Sequence, residues 1–248
     1  MTALQRFGTM IFAVGAIAGL GACAGDGGGP GSLMGGGSGP PADAPAYRVG
    51  DRWVYHGEDG FRVKTEWEET HEVTAIGPDG ITARVTPKGR PLEFPRTELW
   101  SAPGQVNVGA MCGDGVTRRF ALPLQRQNFP LAAGKTWTQW VDQYNEATQQ
   151  SGQVNHWVRV GGWEKVATPA GSFDAISMQV LMRLDDETFW RYATTCNYLV
   201  WYAPAAKAVV REERNAQYVE KGSDNAAGAA TIRTQFGVLE LVSFTPGR

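Results

Sequence analysis

Histidine and cysteine are scarce in this chain, with three of each among 248 residues. His56, His71 and His156 are the only imidazoles, so a catalytic triad or a histidine-ligated metal centre has to draw on them. Neither a Gly-x-Ser-x-Gly nucleophile turn nor a His-Glu-x-x-His zinc helix is present. An excess of charge of one sign is missing too. Lys and Arg number 23 against 25 Asp and Glu, a formal net charge of −2, which leaves no basic footprint for nucleic acid. No segment shows sustained 3.6-residue apolar periodicity, so a helical bundle is excluded. The longest apolar run falls short of the roughly 20 residues that a spanning helix needs. These absences predict a protein that is not an enzyme and that uses no metal or other cofactor.

What is present starts at the amino terminus. Arg6 precedes a mostly apolar run from Phe7 to Leu20, so residues 1–22 read as a signal peptide. Gly21 and Ala22 stand before Cys23, with Leu20 three positions ahead of it. That pattern resembles the bacterial lipoprotein box, in which the cysteine thiol receives a diacylglyceryl group and its freed amine a further acyl chain, commonly palmitate. The resemblance implies a lipidated Cys23 and a membrane partner reached through that anchor. Each buried methylene contributes about 0.8 kcal/mol, and two or more chains hold a protein stably without a spanning helix. Ala24 stands where the inner-membrane retention signal would place Asp, so the resemblance further implies the outer membrane, facing the periplasm. Residues 23–46 are rich in Gly and Pro and predict a flexible tether, with a span of roughly 25–30 Å.

Residues 47–248 are long enough for one domain with a real core. From Phe61 to Ile76 apolar and polar residues alternate: Phe61, Val63, Thr65, Trp67, Val73 and Ala75 share one parity, and Arg62, Lys64, Glu66, Glu68 and Glu72 share the other. Period-two alternation predicts a half-buried antiparallel strand, and Gly77-Pro78-Asp79-Gly80 predicts the turn that makes it a hairpin. Further strands are expected at Leu92–Trp100, Gln105–Met111, Val116–Leu122, Thr136–Tyr144, Gln153–Val166, Phe173–Leu184, Glu187–Trp201, Lys207–Glu220 and Ala230–Phe244. The fold class is therefore all-β: a strongly curved antiparallel half-barrel, or a closed barrel or sandwich, with few or no helices. With Cys23 lipidated, Cys112 and Cys196 remain as an even pair in an oxidising compartment, and a disulfide between them is expected.

Two pairs of segments look alike. Gly50-Asp51-Arg52-Trp53 matches Gly134-Lys135-Thr136-Trp137, and Gly80-Ile81-Thr82-Ala83 matches Gly171-Ser172-Phe173-Asp174-Ala175. A meander duplicated over 47–125 and 130–248 would produce both, as would independent turn chemistry. Val49–Tyr55, Gly134 with Trp137, Val166–Ala175 and Trp201-Tyr202-Ala203-Pro204 together resemble a group of uncharacterised bacterial envelope proteins. Those are similar in turn to LolA/LolB-type half-barrels, whose curved sheet cradles acyl chains, although the helices that plug such half-barrels have no counterpart here.

The aromatics supply the functional expectation. Trp67, Trp190, Tyr192 and Tyr198 fall on apolar parities and are expected to face one interior, where they would bind a lipid, an acyl chain or another hydrophobic ligand. The same residues would serve equally as closed core. A second class of function is a structural subunit that docks on an envelope partner complex. Glu69 and His71 share a face, but read as solvated strand residues, and Asp185-Asp186 reads as a polar hairpin tip.

Overall fold

The computed structural model describes residues 37–60, 64–89, 94–186, 188–221 and 229–248. The signal peptide, Cys23 and the first part of the tether lie outside the described residues. Twelve antiparallel strands form a closed barrel in simple meander order, with the last strand paired to the first. They are β1 (Arg52–Asp59), β2 (Thr65–Gly77), β3 (Gly80–Lys88), β4 (Arg96–Ala102), β5 (Gln105–Ala110) and β6 (Thr117–Gln125). The second half comprises β7 (Thr136–Asn145), β8 (Gln150–Thr168), β9 (Gly171–Asp185), β10 (Thr194–Ala203), β11 (Ala208–Val219) and β12 (Thr231–Thr245). One 3-10 turn, Pro204–Ala206, is the only helical element among the described residues. Of the expected architectures the closed barrel is the one found; the sheet has no open half-barrel edge.

Alternation accounts for the barrel's two faces. Outward positions such as Glu66, Glu68, Arg84 and Glu213 carry charge, while Trp53, Tyr55, Trp67, Val73, Ala83 and Val85 are buried. The expected β2–β3 hairpin is present, and Gly80 makes its turn at φ +113, a conformation that favours glycine. Gly57 lies opposite Trp67 in the β1–β2 register, and a Cβ there would meet the indole at 2.2 Å. The missing side chain is what lets Trp67 lie flat against the inner wall. The two pairs of similar segments open β1 and β7, and β3 and β9, so the members of each pair stand six strands apart.

Because the strands alternate in direction, the barrel has a near end, where β1 begins, and a far end, where it finishes. At the near end the β8–β9 hairpin is longer than its neighbours and crosses the opening; its turn donates from the Ala170 amide to the Leu241 carbonyl of β12 at 3.0 Å. Trp53 stacks on Phe244, with ring centroids 5.5 Å apart, and donates its indole N–H to the Ala206 carbonyl at 2.7 Å. Fully buried Asp51 accepts from the Arg48 and Gly247 amides, both at 2.8 Å, and from Lys207 at 3.0 Å. Those bonds hold its carboxyl below the usual range against the opposing effect of burial.

Residues 37–46, read from composition as tether, also rest on this barrel. Gly37 bridges to Trp163, and Ala42, which is buried, to Leu131. Backbone pairing rather than apolar content fixes these residues, so the tether reading does not hold for 37–46.

The far end is covered differently. The β5–β6 loop folds inward, and Cys112 in it is bonded to Cys196 of β10, with Cα atoms 5.9 Å apart. Gln235 of β12 donates to the Cys112 carbonyl and accepts from the Tyr198 hydroxyl at 2.5 Å. Arg118 is buried and paired with Asp114 at 2.7 Å and Asp186 at 3.6 Å. Asp186 also takes Arg191 at 3.2 Å and Gln143 at 3.0 Å. Asp185 is exposed, as a polar tip predicts, while Asp186 joins the ion cluster around buried Arg118, and the β9–β10 connection is eight residues long, 186–193, instead of a tight turn.

Candidate functional site

A cavity of about 220 Å³ lies inside the barrel. One wall is apolar and comes from β9 and β10: Met178, Val180 and Met182 on alternate positions of one strand, Tyr198, Val200 and Tyr202 on those of the next. The thioethers make this wall adaptable in shape. Charged side chains line the rest of the cavity, including positions on β11 beside Tyr198 and Val200. Glu69 and His71 reach in from β2, Arg96 and Glu98 from β4, Arg126 from just beyond β6, and Glu212 and Arg214 from β11.

These charges are matched to one another. Glu69 is hydrogen-bonded to His71 and lies 3.5 Å from Arg96. Glu98 meets Arg96 at 3.3 Å and Arg126 at 3.0 Å, and accepts from the Trp100 indole at 3.1 Å. Glu212 and Arg214 pair at 2.6 Å. Burial pushes both inner carboxyls up, but the side chains that face them outweigh it. Arg126, Arg96 and His71 bring Glu98 down to about 2, and His71, Arg96 and Arg214 hold Glu69 lower still. Arg214 is pushed above its ordinary value by Glu212 despite burial, and burial raises the Tyr55 and Tyr202 hydroxyls. The cavity is lined by three carboxylates and three guanidiniums, so the network is close to balanced.

Two neutral groups on the cavity stand apart from that network. His156 of β8 is 1% exposed, and its Nδ1 has no hydrogen-bond partner among the described residues. Burial, and then the charge of Arg126, bring it down to about 4, so its ring is neutral near pH 7. The Tyr202 hydroxyl is likewise unpartnered; its ring sits edge-on to Phe129, with centroids 5.1 Å apart.

The structure splits the four expected ligand residues. Trp67 and Tyr198 are buried and point inward, each 4% exposed, and Tyr198 lines the cavity. Trp190 and Tyr192 do not join them: they are 43% and 56% exposed, on the outside of the 186–193 connection. Parity holds only within a continuous strand, and β10 begins at Thr194, so counting back from Tyr198 across the connection has no geometric meaning. Trp190 instead packs on Tyr218, with Arg191 over both rings. Glu69 and His71 also differ from expectation, facing the cavity and not solvent. His56 is on the outer face, 3.7 Å from Glu58. The Cys112–Cys196 bond is present as expected. Among the described residues no group of three or more His, Cys, Asp or Glu is placed to hold a metal ion.

No family model matches the chain, and no curated protein matches its sequence. Solved structures do resemble it. A Bacteroides fragilis protein described as exported, with a YmcC-like fold, superposes with a TM-score of 0.52 at 14% identity, covering 82% of this chain and 99% of that one. A Parabacteroides distasonis protein described as a lipoprotein gives 0.46 at 14% identity, covering 84% and 100%. At this identity the first likeness speaks for the fold alone.

Proposed function

We propose that this protein is a non-catalytic lipoprotein of the cell envelope, anchored through Cys23 and holding a small hydrophobic ligand inside its barrel. The observation that carries the reading is the 220 Å³ cavity with its apolar β9–β10 wall. Twelve strands enclose more room than eight, whose side chains just fill the interior, and here part of the surplus remains open. An apolar pocket with a few convergent polar groups is the usual form of a ligand site. The volume favours a small molecule: an engineered cavity of about 150 Å³ holds benzene, so this one suits roughly nine or ten non-hydrogen atoms. Outer-membrane placement facing the periplasm rests on the leader, Cys23 and Ala24. The description of the Bacteroides fragilis protein as exported agrees with an envelope location.

Native mass spectrometry of the gently purified protein tests the ligand reading, and a co-purifying small molecule is the expected result. For the anchor, Cys23→Ser is expected to abolish both processing and partitioning into the detergent phase. Normal maturation and partitioning of that variant would reject it. Phe189, Trp190 and Tyr192, all exposed on one connection, favour a second reading, in which that rim docks on another envelope component. Loss of a cross-linked partner on Trp190→Ser, with the cavity ligand retained, would select it.

A further inference from the structure

We infer that the ligand is an uncharged molecule with an apolar body and one hydroxyl or carbonyl group, which hydrogen-bonds to His156. This rests on the interior ligand site proposed above and specifies its chemistry. The charged side chains of the cavity are already matched: Glu69 to His71 and Arg96, Glu98 to Arg96 and Arg126, Glu212 to Arg214. A carboxylate or ammonium entering this interior would have to break one of those pairs or remain without a counter-charge. Either event is strongly unfavourable in a desolvated site. A neutral hydroxyl or carbonyl avoids that penalty.

The cavity groups without a hydrogen-bond partner among the described residues, His156 Nδ1 and the Tyr202 hydroxyl, are neutral as well. His156 Nδ1 is buried and without a hydrogen-bond partner among the described residues, and a ligand that supplies its missing bond removes a standing desolvation cost. His156 pairs in register with Met182, so the imidazole stands beside the apolar thioether wall. It also lies within electrostatic reach of Arg126, whose guanidinium side chain is 30% exposed and has donors to spare beyond Glu98 and the Ala110 carbonyl. An acceptor-and-donor pair of this kind suits a hydroxyl.

Tyr202, the other unpartnered group, serves as the internal control. Its register partner on β9 is Ile176, six residues from Met182, so it stands roughly 20 Å from His156 along the strand. A ligand of about ten atoms seated at His156 does not reach it.

The test uses the full chain in phospholipid nanodiscs, with empty discs subtracted, and calorimetric titration at pH 7. Three probes of similar size separate the possibilities: 2-phenylethanol, phenylacetate and ethylbenzene. The alcohol is expected to bind at least ten-fold more tightly than either of the others. His156→Phe is expected to erase that advantage while leaving ethylbenzene binding unchanged, His156→Gln to restore part of it, and Tyr202→Phe to leave it intact. Phenylacetate binding as tightly as the alcohol, or an advantage lost in Tyr202→Phe and kept in His156→Phe, overturns the inference while leaving an interior site. Failure of all three probes to bind rejects the interior site itself.

Discussion

The two ends of the barrel are shut by different means. At the near end the sheet closes itself: the long β8–β9 hairpin crosses to β12, and Trp53 stacks on Phe244 beneath it. At the far end a loop from β5–β6 is drawn in and pinned at specific points, by Cys196, Gln235 and the Arg118–Asp114–Asp186 cluster. Closure at the near end is shared among ring stacking, the hairpin's hydrogen bond to β12 and the contacts of Asp51. Pinned closure depends on a few covalent and ionic links, each of which can be removed on its own. The cavity runs between the two, so the far end is the place to look for access to it.

Removing the far-end pin should have the largest effect. Replacing Cys112 and Cys196 together with Ala frees a loop spanning 84 residues, for which the chain-entropy model gives about 4–5 kcal/mol. Thermal melting should fall accordingly. Amide exchange should rise first in residues 111–116, and exchange rising first at the near end would refute the comparison. Trp53→Ala attacks the other closure and should cost about 3–5 kcal/mol, as large aromatic deletions do, without exposing residues 111–116 early.

Acid should act on the belt of buried groups between the ends. His156 is held below its ordinary value of 6.5, at about 4, so the unfolded chain binds the proton more readily. The stability it confers is complete above pH 6.5 and is lost as pH falls towards 4, on the order of 3 kcal/mol. Glu98 has the same sign in a lower window, from about 4.5 down to about 2. Melting curves of His156→Phe should therefore lose most of the pH dependence above 4 and keep that below it. The smallest effect is expected outside the barrel. Trp190→Ser removes a half-exposed ring and should shift stability by about 1 kcal/mol or less, against the much larger cost of Trp53→Ala.

How far the sequence foretold this molecule depends on the residue. Turns and alternation gave the strands, because Gly-Pro-Asp-Gly and period two act locally; closure of the sheet did not follow from them, since it depends on β1 meeting β12. The charged wall was missed for a definite reason. Trp67, Glu69, His71 and Val73 occupy one parity of β2, and the two polar members were passed over as solvated. Charged residues on an otherwise apolar parity were the available signal, repeated at Arg96, Glu98 and Trp100 and again at Glu212, Arg214 and Ala216. Which cation meets which carboxylate depends on strands far apart in the chain, and no local pattern encodes that.

The pairing of β12 with β1 also dictates how the chain has to mature. Arg52 and Thr245 are neighbours in the sheet although nearly the whole body separates them in sequence. Until residues 231–245 have been delivered, β1 and β11 each present an unpaired edge, the form of β structure most prone to join another chain. Contacts of such long range are also slow to form. A chain made amino terminus first therefore cannot close its barrel until β12 is available. A chaperone that shields strand edges, or speed in the final step, would matter more to its yield than any property of the finished barrel.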